Sequence, residues 1–291
     1  ETVYLGTAFR QSNPEFIKVL GEIRKGKTSM ETLRLLAPCV KREFDKSDGI
    51  EPTHLYSTRR EVSFENDSKL NALPGKAKVF EAEDFGWHPF LTALQKNCMA
   101  PVKLTLKVGA QVMLIKNLDV EGGLCNGSRG VVVSFTGNTN DDDNDDDVIP
   151  EGTPMVRFAN GQTIPMVQQE WKTEQEKIMV AQRKQIPLIL AWSITIHKCQ
   201  GMSLDKVNMS LSSCFEDGQA YTALSRCRSL EGLRLDGFNP SAIMANDKAV
   251  RFYEKLEREQ GNDSKVHNTK RARSPTQSEH QQAKIQKKQE N

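Results

Sequence analysis

Residues 21–28 read G-E-I-R-K-G-K-T, a literal match to the G-x-x-x-x-G-K-[ST] loop whose backbone amides and lysine cradle nucleotide phosphates. That chemistry needs a buried strand before the loop and a helix after it, so that N–H groups converge on the anion. The preceding residues spell something else. Asn13 suits an N-cap, Pro14 suits the first helical position, and Phe16, Leu20 and Ile23 recur at i, i+4 and i+7, which predicts an amphipathic helix running through Gly21. Gly26 then has the character of a helix C-terminal glycine, and Thr28 with Glu31 forms a capping box for a second helix through Met30, Leu33 and Leu36. No apolar strand ends in the adjacent acids that hold Mg²⁺ in phosphate-loop enzymes. We therefore read 21–28 as a helix–turn–helix joint; tight binding of an ATP analogue, lost in Lys27→Ala, would restore the nucleotide reading.

Two other stretches put polar side chains where a ligand could meet them. In IPLILAWSITIHKCQGMSLDKV (186–207), His197, Lys198 and Gln200 follow a buried strand into a helix, a position that faces the ligand crevice in open α/β sheets. The same residues also suit the solvated face of that helix. In FEDGQAYTALSRCRSLEGLRL (215–235), Gln219, Tyr221 and Ser225 have helical spacing with Arg226 adjacent, so one face could address a ligand, although Tyr221 equally suits a core.

The elements that must position these residues follow from texture. From Gln185 onward, PLILAW, SITIHKCQ, KVNMSL, GQAYTALSRC and LRLDGF alternate buried strand with helix, and a last helix is expected from Asn239-Pro240 or slightly later to about Glu259. Alternation of this kind implies a parallel sheet covered by helices. The first third repeats the mixture, with a strand near HLYST (54–58). Between them, from Leu104 to about Lys184, the signals are short strands: LTLKVGAQVMLI, then GVVVSF after Asn126-Gly127, then a hairpin over 155–166 whose Asn160-Gly161 link predicts a type I′ turn. The expected architecture is an α/β domain built from 1–103 and 187–260, with a small β-barrel, 104–186, inserted.

With 37 % apolar residues in 291, the chain can bury a core, and no run approaches the roughly 18 apolar residues of a membrane span. The six cysteines have no C-x-x-C pair or finger-like spacing, so reduced thiols and no metal site are expected. A net charge of +2 conceals local imbalance: residues 141–147 hold six aspartates, while 261–291 hold seven Lys/Arg against three acids. The run 138–148 reads as a disordered acidic loop and 261–291 as a disordered basic tail, in which KRAR (270–273) could be a nuclear-import patch. The opening ETVYLGTAFR reads like the interior of a domain, so sequence is expected upstream of it.

The stretches 186–207 and 215–235 resemble motifs V and VI of petite-integration-frequency and RecD-like helicases of superfamily 1. Three more segments match in the family's order: AFRQSNPEFIKVLGEIRKG (8–26) is similar to motif IV, LYSTRREVSFENDSKLNALPG (55–75) to an L-x-x-T-R-x-x-V-x-x-x-N element, and LKVGAQVMLIKNL with NGSRGVV (106–132) to the entry of an inserted SH3-like barrel. Cys199 and Cys227 stand where a small residue is usual, and Met202-Ser203 replaces the common polar-Thr pair. The family's first lobe, with its phosphate loop and metal-binding acids, has no counterpart among these residues.

The resemblance implies a RecA-like second motor lobe and a set of roles. Arg226 would be the motif VI finger and Arg10 the motif IV arginine, both catalytic, with Gln11, Gln200 and Gly201 also near nucleotide. Single-stranded DNA would meet Thr58, Arg59, Lys116, Asn126, His197, Lys198 and the motif VI run Gln219, Ala220, Tyr221, Thr222, Ala223, Leu224, Ser225 and Arg226. ATP and Mg²⁺ would be held mainly by an N-terminal motor lobe of the same protein. The implied activity is ATP-driven 5′-to-3′ translocation on single strands and unwinding of duplexes, junctions or quadruplexes in genome maintenance, by a monomer in the nucleus or mitochondrion. The alternative is a non-catalytic nucleic-acid-binding module on a motor fold.

Overall fold

Asn13 opens the first helix as its sequence requires: its Oδ1 accepts from the amides of Glu15 and Phe16 at 2.8 and 3.1 Å. The computed structural model describes residues 10–45, 49–137 and 149–258, so the acidic run and the basic tail lie outside the described residues. In chain order the elements are α1 (Pro14–Arg24), α2 (Met30–Leu36), β1 (Thr53–Tyr56), α3 (Arg59–Ala72), β2 (Lys78–Glu81), β3 (Glu83–Gly86), α4 (His88–Asn97), β4 (Lys103–Leu106), β5 (Gln111–Leu114), β6 (Arg129–Phe135), β7 (Pro154–Phe158), β8 (Thr163–Pro165), β9 (Gln169–Gln175), β10 (Ile178–Gln185), β11 (Leu188–Leu190), β12 (Ser193–Thr195), β13 (Val207–Ser210), α5 (Gln219–Leu224) and β14 (Leu233–Gly237). The described residues from 10 to 244 form one compact unit; those after it, with a helix over 247–258, belong to a second.

Gly21 lies inside α1, and Gly26 ends it with φ +67°, its amide and that of Lys27 reaching back to the carbonyls of Ile23 and Glu22. Residues 21–28 are thus a helix end and a turn. One detail differs from expectation. The N-cap of α2 is Ser29, not Thr28, because the Glu22 carboxylate on α1 accepts from the Ser29 amide (2.9 Å), the Ser29 hydroxyl (3.0 Å) and the Thr32 hydroxyl (2.7 Å).

Four parallel strands in the order β12-β1-β13-β14 form the central sheet. Against it pack Phe16, Val19, Leu20 and Ile23 of α1 with Ala220, Ala223 and Leu224 of α5. Burying each of the larger side chains contributes about 1.5–3 kcal/mol at most. On α3, Asn66 fastens the helix to β12, its amide donating to the Ser193 carbonyl and its Oδ1 accepting from the Ser193 amide, both at 3.0 Å.

The remaining strands are antiparallel: a five-stranded sheet β11-β5-β6-β7-β8 over a second core, a three-stranded sheet β3-β10-β9, and the pair β2-β4. Among the described residues no ladder joins β8 to β11. This region reaches beyond 104–186 at both ends, since β2 and β3 pair with β4 and β10, and β11 pairs antiparallel with β5. PLILAW therefore belongs to the antiparallel region and not to the parallel sheet, as its pairing partner decides. The 155–166 hairpin forms, but its turn is not type I′. Only Gly161 has positive φ; Phe158 bonds Gln162 across a three-residue loop, and Asn160 Oδ1 accepts from the Gln162 amide at 3.1 Å, holding the turn in that form. Gln111 ties the two regions together. Its amide nitrogen donates to the Glu51 and Ala191 carbonyls at 3.0 and 2.9 Å, and its oxygen accepts from the Glu51 amide at 2.8 Å.

Candidate functional site

After β12 the chain does not continue as a helix. Cys199 bonds the Thr195 carbonyl, Gln200 that of His197 and Met202 that of Cys199, which closes an irregular turn over 196–201 with Gly201 at φ +84°. Ile196, Cys199 and Met202, three residues apart, are buried, leaving His197, Lys198, Gln200 and Gly201 outward.

Beyond this turn lies a pair of arginines. Arg10 donates Nε to Ser203 Oγ at 3.0 Å and Nη1 to the Ser225 carbonyl at 3.1 Å. Arg226 lies back along the end of α5, with Nε donating to the Thr222 carbonyl (3.0 Å) and Nη2 to Ser225 Oγ (2.8 Å). Gln11 is buried and donates to the carbonyls of Ser225 (3.1 Å) and Cys227 (2.8 Å), fixing the start of α1 to the end of α5. Burial and then the nearby charge of Arg226 lower the pKa of Arg10. Among the described residues no carboxylate pairs with either guanidinium, whereas Arg228 is paired with Asp205 at 3.3 Å. Two like charges held together by neutral acceptors make a site that an anion stabilises, and planar guanidinium donors suit phosphoryl oxygens.

A second feature lies at the ends of β1 and β12. Thr58 is the N-cap of α3, its hydroxyl accepting from the Glu61 amide and donating to the Glu61 carboxylate at 2.6 Å, so the side chain that stands free there is Arg59. Arg59 and Lys198 line a crevice of about 330 Å³ with Thr195 and Ser193, above apolar Val62 and Ile194. Lys103 and Thr105 of β4 also line it. Neither is among the residues expected from sequence, although the alternation in KLTL, with Leu104 and Leu106 buried, is a legible sign that Lys103 and Thr105 face away from the core. His197 Nε2 stands 3.2 Å from Glu216 Oε2, both about half exposed.

The motif VI run divides sharply. Gln219, Ala220, Ala223, Leu224 and Ser225 are buried; Tyr221 and Thr222 are half-buried, Tyr221 against the core. Gln219 Oε1 accepts from the Phe215 amide at 2.9 Å, while its buried Nε2 has no hydrogen-bond partner. Helical spacing therefore does not gather Gln219, Tyr221 and Ser225 on one outward face. Lys116 and Asn126 are not in the crevice. Lys116 Nζ donates to the Glu170 carbonyl at 2.9 Å and lies 5.5 Å from the Trp171 ring centre; the Asn126 amide donates to Asn117 Oδ1 at 2.8 Å.

Comparison with known proteins fits this layout. Residues 89–135 match the family model described as the DNA helicase Pif1 2B domain. An ATP-dependent DNA helicase PIF1 from Danio rerio is 43 % identical over 257 residues, covering 86 % of this chain and 37 % of that protein. The chain belongs to the Pif1 family. It spans less than half the length of that relative. Among solved structures, the Pif1 helicase from Candida albicans is 37 % identical with a TM-score of 0.65, over 86 % of this chain and 60 % of that one. A Pif1 helicase from Bacteroides in complex with ADP-AlF3 and single-stranded DNA is 31 % identical with a TM-score of 0.57, over 89 % and 57 %.

The Pif1 2B match covers most of α4 and all of β4, β5 and β6, with Lys103, Lys116 and Asn126. The ATP-dependent relatives imply a nucleotide, and the residues here fit only part of that demand. Arg10 and Arg226 fit phosphoryl oxygens. No group of His, Cys, Asp or Glu among the described residues could hold a metal ion, and residues 21–28 are a helix end and turn.

Proposed function

We propose that the parallel-sheet region of this chain is the second motor lobe of an ATP-dependent DNA helicase, carrying an inserted SH3-like barrel, and that Arg226 and Arg10 act on ATP bound mainly by an N-terminal motor lobe of the same protein. The observation that carries this is the Arg10–Arg226 pair, set on carbonyls and hydroxyls of the motif V and VI segments with no counter-ion among the described residues. Charge that builds on the transferring phosphoryl group is stabilised by guanidiniums that reach it only when two lobes close, which couples closure to turnover. Lys198 and Arg59 bind the phosphates of single-stranded DNA in the crevice at the strand ends. The protein translocates 5′ to 3′ and opens duplexes, junctions or quadruplexes, as a monomer working in the nucleus or mitochondrion.

A second reading has its own support. The crevice with its cations lies within this chain while no phosphate loop lies among the described residues, so the chain alone acts as a single-strand-binding module. One experiment separates the two. A protein carrying this chain and its N-terminal lobe is assayed for DNA-stimulated ATPase and for unwinding of duplexes with a 5′ or a 3′ single-stranded tail. Turnover with unwinding of the 5′-tailed duplex is expected. Strand binding without ATPase would leave the module reading, and unwinding of the 3′-tailed duplex alone would overturn the polarity.

A further inference from the structure

The crevice beside α3 is built from three separate stretches of chain. Arg59 comes from the first turn of α3, Lys198 from the turn after β12, and Lys103 from β4, a strand of the antiparallel region. Lys103, Leu104 and Thr105 of β4 all line the crevice; Leu104 and Leu106 are buried in the second core, and Lys103 is exposed. Among the described residues none of the three cations is in an ion pair, and Asp67 is the one carboxylate on the wall. The floor is apolar, with Leu70, Ile189 and Leu190. A cationic rim over an apolar floor is what a nucleotide presents its phosphate and its base or sugar to.

We propose that Lys103 is a phosphate-binding residue of the strand site, so that single-stranded DNA is clamped between the end of the parallel sheet and the β4 edge of the antiparallel region. This rests on the reading of the crevice as the DNA site, which Arg59 and Lys198 also line. It also gives the antiparallel region a direct part in holding the strand. Each cation that neutralises a phosphate adds about 0.7 to the magnitude of the slope of log affinity against log salt for single strands.

The test measures binding of the 291-residue chain to a fluorescent oligothymidylate over a range of salt, for wild type, Lys103→Ala, Lys103→Arg, Arg59→Ala, Lys198→Ala and Lys172→Ala. Lys172, on β9 and paired with Glu170 at 2.8 Å, lies outside the crevice and serves as control. Lys103→Ala should weaken binding several-fold at low salt and reduce the slope by about 0.7, with an unchanged melting temperature. Lys103→Arg and Lys172→Ala should keep the wild-type slope. If Arg59→Ala and Lys198→Ala reduce the slope and Lys103→Ala does not, the clamp is overturned while the crevice stands. If all three crevice variants keep the wild-type slope, the crevice is not the DNA site, and the proposed function loses its strand site together with the clamp.

Discussion

Replacing Arg226 with alanine, in a protein that also carries the N-terminal motor lobe, separates a chemical role from a structural one by size of effect. The structural cost is small. The substitution removes two hydrogen bonds from a partly exposed guanidinium, to the Thr222 carbonyl and Ser225 Oγ, each contributing about 0.5–1.5 kcal/mol net. Against that loss, removing the charge of Arg226 relieves Arg10, whose pKa that charge lowers. A net loss of about 1 kcal/mol corresponds to a melting shift of about 2–4 °C in a unit of this size. The chemical cost is far larger, because an arginine finger contributes on the order of 10³–10⁵ in turnover, or about 4–7 kcal/mol of transition-state stabilisation. Arg226→Lys should rescue little, since an ammonium cannot keep the fork that bonds both Thr222 and Ser225 while presenting two donors to phosphate. Melting temperature, single-strand affinity without nucleotide and ATPase rate are measured on one preparation. A folded alanine variant with ATPase within tenfold of wild type would refute the reasoning, as would a large loss of melting temperature with turnover falling only in step with the folded fraction.

The 291-residue chain alone should hydrolyse no ATP above background, with Lys27→Ala indistinguishable from wild type; DNA-stimulated turnover in a clean preparation would contradict this. Glu216→Gln removes the carboxylate 3.2 Å from His197 and should tighten single-strand binding about two- to fivefold at low salt, the range expected of one exposed charge pair, whereas weaker binding would place the pair outside the strand site. Asp84→Asn should cost about 3–5 kcal/mol by thermal melting, because Arg183, 1 % exposed, makes two 2.7 Å bonds to that carboxylate. Arg183 also holds the Asp84 pKa below its ordinary value, so this stabilisation is complete above the usual carboxylate range near pH 4 and is lost as pH falls through the lowered value. The asparagine variant should therefore show a flatter acid profile, and an unchanged profile would remove Asp84 from the acid transition.

Local chemistry was legible in the sequence and tertiary chemistry was not. Helix α1 could be read because its cap, its proline and its apolar face all lie within one segment. The start of α2 shifted by one residue because the carboxylate that fixes it, Glu22, belongs to another helix. The apolar run at 188–190 reads as a buried strand in any sheet, and only its ladder with β5 assigns it. In the site, the resemblance named Arg10 and Arg226, yet nothing in the spacing of 219–226 told which side chains solvent reaches. A six-residue helix whose outer turns are pinned by Gln11 and Gln219 buries most of them.

The segment 196–203, the turn over 196–201 with the two residues after it, explains why these parts are packed as they are. Its start supplies Lys198 to the crevice, and its end supplies Ser203 to Arg10. The next residue, Leu204, donates its amide to the Arg226 carbonyl at 2.9 Å and accepts from the Arg228 amide at 3.2 Å, so the turn is bound by backbone to the segment that carries Arg226. The antiparallel region closes on the same turn through Gly127, at φ +100°, where a Cβ would stand 3.0 Å from the Ser203 carbonyl and 3.3 Å from Met202. Only glycine tolerates both that backbone and that approach. A displacement of this turn therefore moves Lys198 and Ser203 together, and interior packing resists any partial adjustment between them. In the proposed function, strand at one end and phosphoryl group at the other act on this one short piece of chain.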